Sequence, residues 1–153
     1  MKSYFIFCFL LIAMFLSITS CSSDSDDVLN GEATISDALL TGKLNGQDFT
    51  ISGGMDIGTG TNELSLVITN YVLDCQTTTY VNESRITLDV PTIVGTYTNM
   101  DVVYWADSQS GKMGVGSTVI ISSTTDTEIT GKIKNTLDAD NFVEGSFAIS
   151  LCQ

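Results

Sequence analysis

The chain has 153 residues, the length of one ordinary domain, and carries 18 acidic against six basic side chains, no histidine and a formal net charge of −12. Such a surface repels nucleic acid, so no nucleic-acid partner is expected. The missing imidazole removes the commonest zinc ligand and the commonest general base, and neither a metal nor a cofactor is expected.

Residues 1–20 read as a signal peptide. Lys2 and the amino terminus supply the positive end, and the run from Phe5 to Leu16 supplies the apolar stretch. That run has the length of a signal core and falls short of the roughly 20 residues that a spanning helix needs. Ile18, Thr19, Ser20 and Cys21 follow at once. This quartet resembles the bacterial lipobox, in which an aliphatic and two small residues precede the cysteine that becomes the mature N-terminus. The resemblance implies cleavage between Ser20 and Cys21 and acylation of Cys21. Two or three long acyl chains then hold the protein on a membrane almost irreversibly, each buried methylene contributing about 0.8 kcal/mol.

Residues 21–37 form an acidic tether. The opening stretch Ser22-Ser-Asp-Ser-Asp-Asp27 has nothing to bury and is expected to be extended and solvated. It resembles the export signal of Bacteroidota lipoproteins, which implies an outer-membrane, surface-exposed protein. A plain spacer on a periplasm-facing protein is the other reading of the same composition.

Residues 38–153 are expected to form a single all-β domain. Ile86, Leu88 and Val90 alternate with Arg85, Thr87 and Asp89, and Phe147, Ile149 and Leu151 alternate with Ser146 and Ser150. Apolar residues at every second position give each strand one core face and one wet face. Asn45-Gly46 between two such runs is a strong signal for a two-residue hairpin, because a type I′ turn needs positive φ at both positions. Strands are expected at about 38–44, 47–53, 63–73, 79–90, 97–106, 112–123, 127–136 and 141–152. Eight short antiparallel strands joined by tight turns predict a meander, packed as a β-sandwich or rolled into a lipocalin-like barrel. The glycine-rich stretches at 52–54, 58–60 and 114–116 read as loops, bulges or close strand contacts.

Four cysteines sort by position. Cys8 leaves with the leader and Cys21 is lipidated, so Cys75 and Cys152 remain as a pair. An even number in an exported chain favours a disulfide. Both are also out of phase with the apolar faces of their strands.

No nucleophile is legible as such. The chain has no Gly-x-Ser-x-Gly elbow and no Ser-x-x-Lys, so no catalytic residue is assigned and a non-enzymatic protein is expected. The alternative from another class is a glycan-directed hydrolase using two carboxylates, for which Asp101 and Asp107 flank the aromatic pair Tyr104 and Trp105. Asp138-x-Asp140-Asn141 reads as an Asx turn, since Phe142 and Val143 stand where a calcium loop needs an oxygen ligand and a glycine. Tyr97, Tyr104 and Trp105 are candidate ligand contacts, with Tyr71 and Tyr80 flanking Cys75. Consecutive Tyr104 and Trp105 must point to opposite faces of a strand, so one of them is expected in the core.

Several of these segments together resemble a known type. Gly42 to Phe49, Val94 to Tyr97, the later Tyr104, Ile129 to Ile133 and Val143 to Phe147 resemble the strands of small Bacteroidota lipoprotein domains that have no assigned activity. Phe49 stands where that family often carries tryptophan. The resemblance implies the fold and the outer-membrane location and transfers no catalytic residue. The combined expectation is a lipid-anchored binding or interaction module for a glycan, a protein or a small apolar ligand. A purely structural envelope component is the remaining alternative.

Overall fold

The computed structural model describes residues 34–60, 62–76, 83–107 and 109–152. The leader, the Ser20–Cys21 cleavage and lipidation site, most of the tether and Tyr80 lie outside the described residues. The described chain is all-β, with nine strands: β1 Thr41–Leu44, β2 Gln47–Thr50, β3 Gly53–Thr59, β4 Glu63–Thr69, β5 Arg85–Pro91, β6 Gly95–Trp105, β7 Gly111–Thr124, β8 Glu128–Asp138 and β9 Asn141–Ser150.

Strands β3 to β9 run in sequence order around a closed seven-stranded barrel, each pairing with the next in antiparallel fashion. An odd number of up-and-down strands leaves the first and last running the same way. The closing pair β3–β9 is therefore parallel, held at Met55 opposite Ser150. This corrects the fully antiparallel meander expected from sequence: the ring contains one parallel seam. The free edge of β9 is shared, its first half pairing with β1 and its end with β3. The β1–β2 hairpin turns at Asn45-Gly46, whose φ values of 50° and 79° are those of a type I′ turn.

Strand β3 replaces what the sequence reads as a loop between two glycine clusters. Its glycines are required by close approach. A Cβ on Gly53 would stand 2.3 Å from the Leu73 amide nitrogen, and one on Gly54 would stand 2.3 Å from Cδ1 of Ile149. Residues 71–73 lie across the start of β3, with the Gly54 N–H donating to the Leu73 carbonyl at 3.2 Å. The Thr69 hydroxyl donates to the Tyr71 carbonyl at 2.8 Å. Beside this crossing, Cys75 and Cys152 are joined by a disulfide, their Cα atoms 5.2 Å apart. The Cys152 N–H donates to the buried Asp56 carboxylate of β3. A covalent bond and a charge-assisted hydrogen bond thus reinforce the parallel seam where its ladder is shortest.

The barrel interior is a packed core. Leu64, Leu66, Ile68, Ile86, Leu88, Val90, Val102, Tyr104, Val119, Ile121, Ile129, Ile133, Val143, Phe147 and Ile149 fill it, and Leu44 and Phe49 of the hairpin join them. A ring of this strand number has just the width that side chains can fill. One polar cluster sits within the core. The Tyr104 hydroxyl donates to Oδ1 of Asn135 at 2.6 Å, and Nδ2 of Asn135 donates to the Ser117 hydroxyl at 2.8 Å and to the Val115 carbonyl at 3.3 Å. Gly114 makes room for it, since a Cβ there would stand 2.3 Å from Oδ1 of Asn135. Burial, and secondarily the negative charge of Asp138, push the Tyr104 phenol well above its ordinary pKa.

Residues 36–40, assigned in part to the tether by sequence, run along β9. The Leu40 N–H donates to the Ser146 carbonyl at 2.9 Å, and the Ser146 N–H donates to the Ala38 carbonyl at 2.7 Å. Asp37 pairs with Lys132. Gly145, at φ 139°, leaves space for this strap: a Cβ there would lie 2.7 Å from both the Ala38 carbonyl oxygen and the Leu40 Cα.

Candidate functional site

On the outer face of β4, β5, β6 and β7, opposite the core side chains, lies a groove of about 420 Å³. Strand alternation builds it. In β5 the residues between the buried Ile86, Leu88 and Val90 point outward, so Arg85, Thr87 and Asp89 stand on one face. In β6 the same logic sends Val102 and Tyr104 inward and Asp101, Val103 and Trp105 outward. Register aligns the two rows, with Arg85 opposite Trp105 and Thr87 opposite Val103. Ser65 and Ile57 border one side and Met113 the other.

Trp105 lies at one end and is fixed on three sides. Its indole N–H donates to the Thr87 hydroxyl at 2.9 Å. The Arg85 guanidinium carbon stands 4.7 Å from the centre of the indole ring, a cation–π distance. Gly111 lies close beneath, because a Cβ there would be 3.0 Å from the ring. Arg85 is only 6% exposed and also donates to the Glu83 carbonyl at 3.2 Å. The opposite end is acidic. Asp89 of β5 and Asp101 of β6 line it, just beyond Leu88 and Val102, the last pair of the β5–β6 ladder. Asp89 accepts the Ser65 hydroxyl at 2.5 Å, and both carboxylates are open to solvent. Apolar side chains connect the two ends: Val103 on the floor, with Met113 and Ile57 at the sides, 56% and 43% exposed.

The three aromatic candidates therefore separate. Trp105 lines the groove. Tyr104 is fully buried, which makes it the core member of the pair and removes it from the ligand surface. Tyr97 packs half-buried against the barrel core and donates its hydroxyl to the Ile93 carbonyl at 2.8 Å, on the face of β6 opposite Trp105. Of the two candidate carboxylates, Asp101 is in the groove while Asp107 belongs to the β6–β7 turn. Asp107 accepts the N–H groups of Gln109 and Ser110, each at 2.8 Å, and these bonds hold its pKa below the ordinary aspartate value. The Asp138 carboxylate likewise accepts Asp140 N–H and Asn141 Nδ2, each at 2.9 Å, as an Asx turn does. Among the described residues no group of three or more Cys, Asp or Glu side chains is placed to hold a metal ion.

Sequence reasoning finds Trp105 and Asp101 but misses Arg85, Thr87, Asp89 and Met113 as their companions. The signal is the wet face of the β5 alternation; joining it to Trp105 needs the β5–β6 register, which periodicity alone does not supply. No family model, curated protein or solved structure matches the chain.

Proposed function

We propose that this protein is a lipid-anchored lipoprotein of the outer membrane, exposed at the cell surface, whose barrel is a non-enzymatic binding module. The observation that carries the binding role is the outer-face groove, which sets a held aromatic ring, an apolar floor and two solvated carboxylates within one concave strip. Interfaces and ligand sites favour this mixture of an aromatic anchor with a few placed polar groups. The filled barrel interior argues against carriage of a small apolar ligand, because Tyr104, Phe147 and the aliphatic side chains occupy that space. Asp89 and Asp101 lie in open solvent rather than in a water-excluded cleft, which favours ligand contact over carboxylate hydrolysis.

Trp105 is the sole tryptophan of the chain, so its emission reports on the groove alone. Titration of the full chain with neutral oligosaccharides and with charged peptides is expected to give a saturable change in emission for at least one class. An unchanged spectrum with every class would sink the binding role. The anchor rests on Ile18-Thr19-Ser20-Cys21 and is tested separately. Cys21→Ser is expected to move the protein from the membrane pellet to the soluble fraction, and mass spectrometry of the wild-type N-terminal peptide is expected to show acyl chains on Cys21. Retention of Cys21→Ser in the pellet would count against it.

A further inference from the structure

We infer that the groove accepts a basic side chain of a peptide, an alkylammonium or guanidinium group, with its charge between Asp89 and Asp101 and its stem along Val103 and Met113. The inference rests on the groove being the binding surface and adds the chemical class of its occupant.

The first argument is the balance of open donors and acceptors. The indole N–H of Trp105 is given to Thr87, the Ser65 hydroxyl to Asp89, and the Arg85 guanidinium to Glu83 and the indole face. At the acidic end, what remains open is acceptor capacity. Asp101 has no hydrogen-bond or ion-pair partner among the described residues, and Asp89 meets only one hydroxyl. A ligand that fits such a strip brings donors and positive charge. A neutral sugar would want donors from the protein as well as acceptors.

The second argument is charge. Asp89 and Asp101, on neighbouring strands, line the same groove, and like charges sharing one strip are an unfavourable arrangement that a cation relieves. Within the described residues the ion pairs formed by lysines are Lys132–Asp37 and Lys134–Glu144, both on the β8–β9 side of the ring. The formal charge of −12 adds long-range attraction for a basic partner.

The third is length. From Arg85 to Asp89 the groove follows β5 for about 13 Å at the usual strand rise. One lysine or arginine stem covers only part of this, so the residues next to it in a peptide reach the Trp105 end. A free alkylamine would leave that end empty.

The test uses Trp105 emission in the full chain with three probes: tetralysine, tetraglutamate and maltotetraose. Two variants each remove one negative charge: Asp101→Asn within the groove, and Asp48→Asn on the exposed face of β2, outside it. Thermal midpoints of both confirm that they fold. Tetralysine is expected to bind saturably and tetraglutamate not at all. Asp101→Asn is expected to weaken tetralysine binding about fivefold, as for loss of one well-placed exposed ion pair, and Asp48→Asn less than about twofold. Equal losses in both variants would mean diffuse attraction to an acidic protein and would overturn the inference. Binding of maltotetraose that Asp101→Asn leaves intact would overturn the basic occupant while keeping the groove as a binding surface. No response to any probe would overturn both.

Discussion

Replacing Cys75 and Cys152 together by serine is expected to lower the thermal midpoint by on the order of 15 °C. The bridge closes a loop with a sequence separation of 77 residues, and the chain-entropy model assigns such a closure about 4 kcal/mol. In a domain of this size each kcal/mol shifts the midpoint by several degrees. The location strengthens the expectation. Without the bridge, the β3–β9 seam is left with its single paired position at Met55 and Ser150, plus the Cys152 amide on Asp56. Differential scanning calorimetry of the wild type with and without reductant, beside the double variant, measures the effect. Equal midpoints with and without reductant would show that the bridge contributes nothing to the native barrel.

Asn135→Ala is expected to cost about 3 kcal/mol, the second large effect. Its side chain is the centre of the buried polar cluster, accepting from Tyr104 and donating to Ser117 and to the Val115 carbonyl. Truncation removes few atoms but strands the Ser117 hydroxyl and leaves Tyr104 only a long 3.5 Å bond to the carbonyl of residue 135, and an unmade buried hydrogen bond costs more than a made one contributes. The comparison that separates this cause from simple loss of volume is a triple variant, Tyr104→Phe, Ser117→Ala and Asn135→Leu, in which no polar side-chain group of the cluster remains. It is expected to recover most of the lost stability. Urea denaturation gives both values. An Asn135→Ala variant within about 0.5 kcal/mol of wild type would mean that the cluster is not a structural element of the core.

Much of the fold is legible in the sequence because period-two alternation and turn chemistry are local. The Asn45-Gly46 hairpin, the Asx turn after Asp138 and the inward rows of β5, β8 and β9 all follow from residues within a few positions of one another. Strand β3 is not legible, since Gly53, Gly54 and Gly58 lower its strand propensity. Two of them are explained only by the Leu73 backbone and the Ile149 side chain, both distant in sequence. Missing that strand hides the odd count, and with it the parallel closure. The site divides in the same way. Alternation shows that Tyr104 and Trp105 oppose one another, but only the pairing of Ile86 with Tyr104 decides which is buried. Asp89 becomes a companion of Asp101 only because β5 and β6 are neighbours in the sheet and line one groove.

The strap along β9 has a mechanical consequence. Around the ring β9 stands half a circuit from β5 and β6, which carry the floor of the groove. Tension applied to the chain on the N-terminal side of Ser36 is taken up first by the Ala38–Ser146 and Leu40–Ser146 bonds and the Asp37–Lys132 contact. The load therefore enters the wall remote from Trp105 and from the two carboxylates at the other end of the groove.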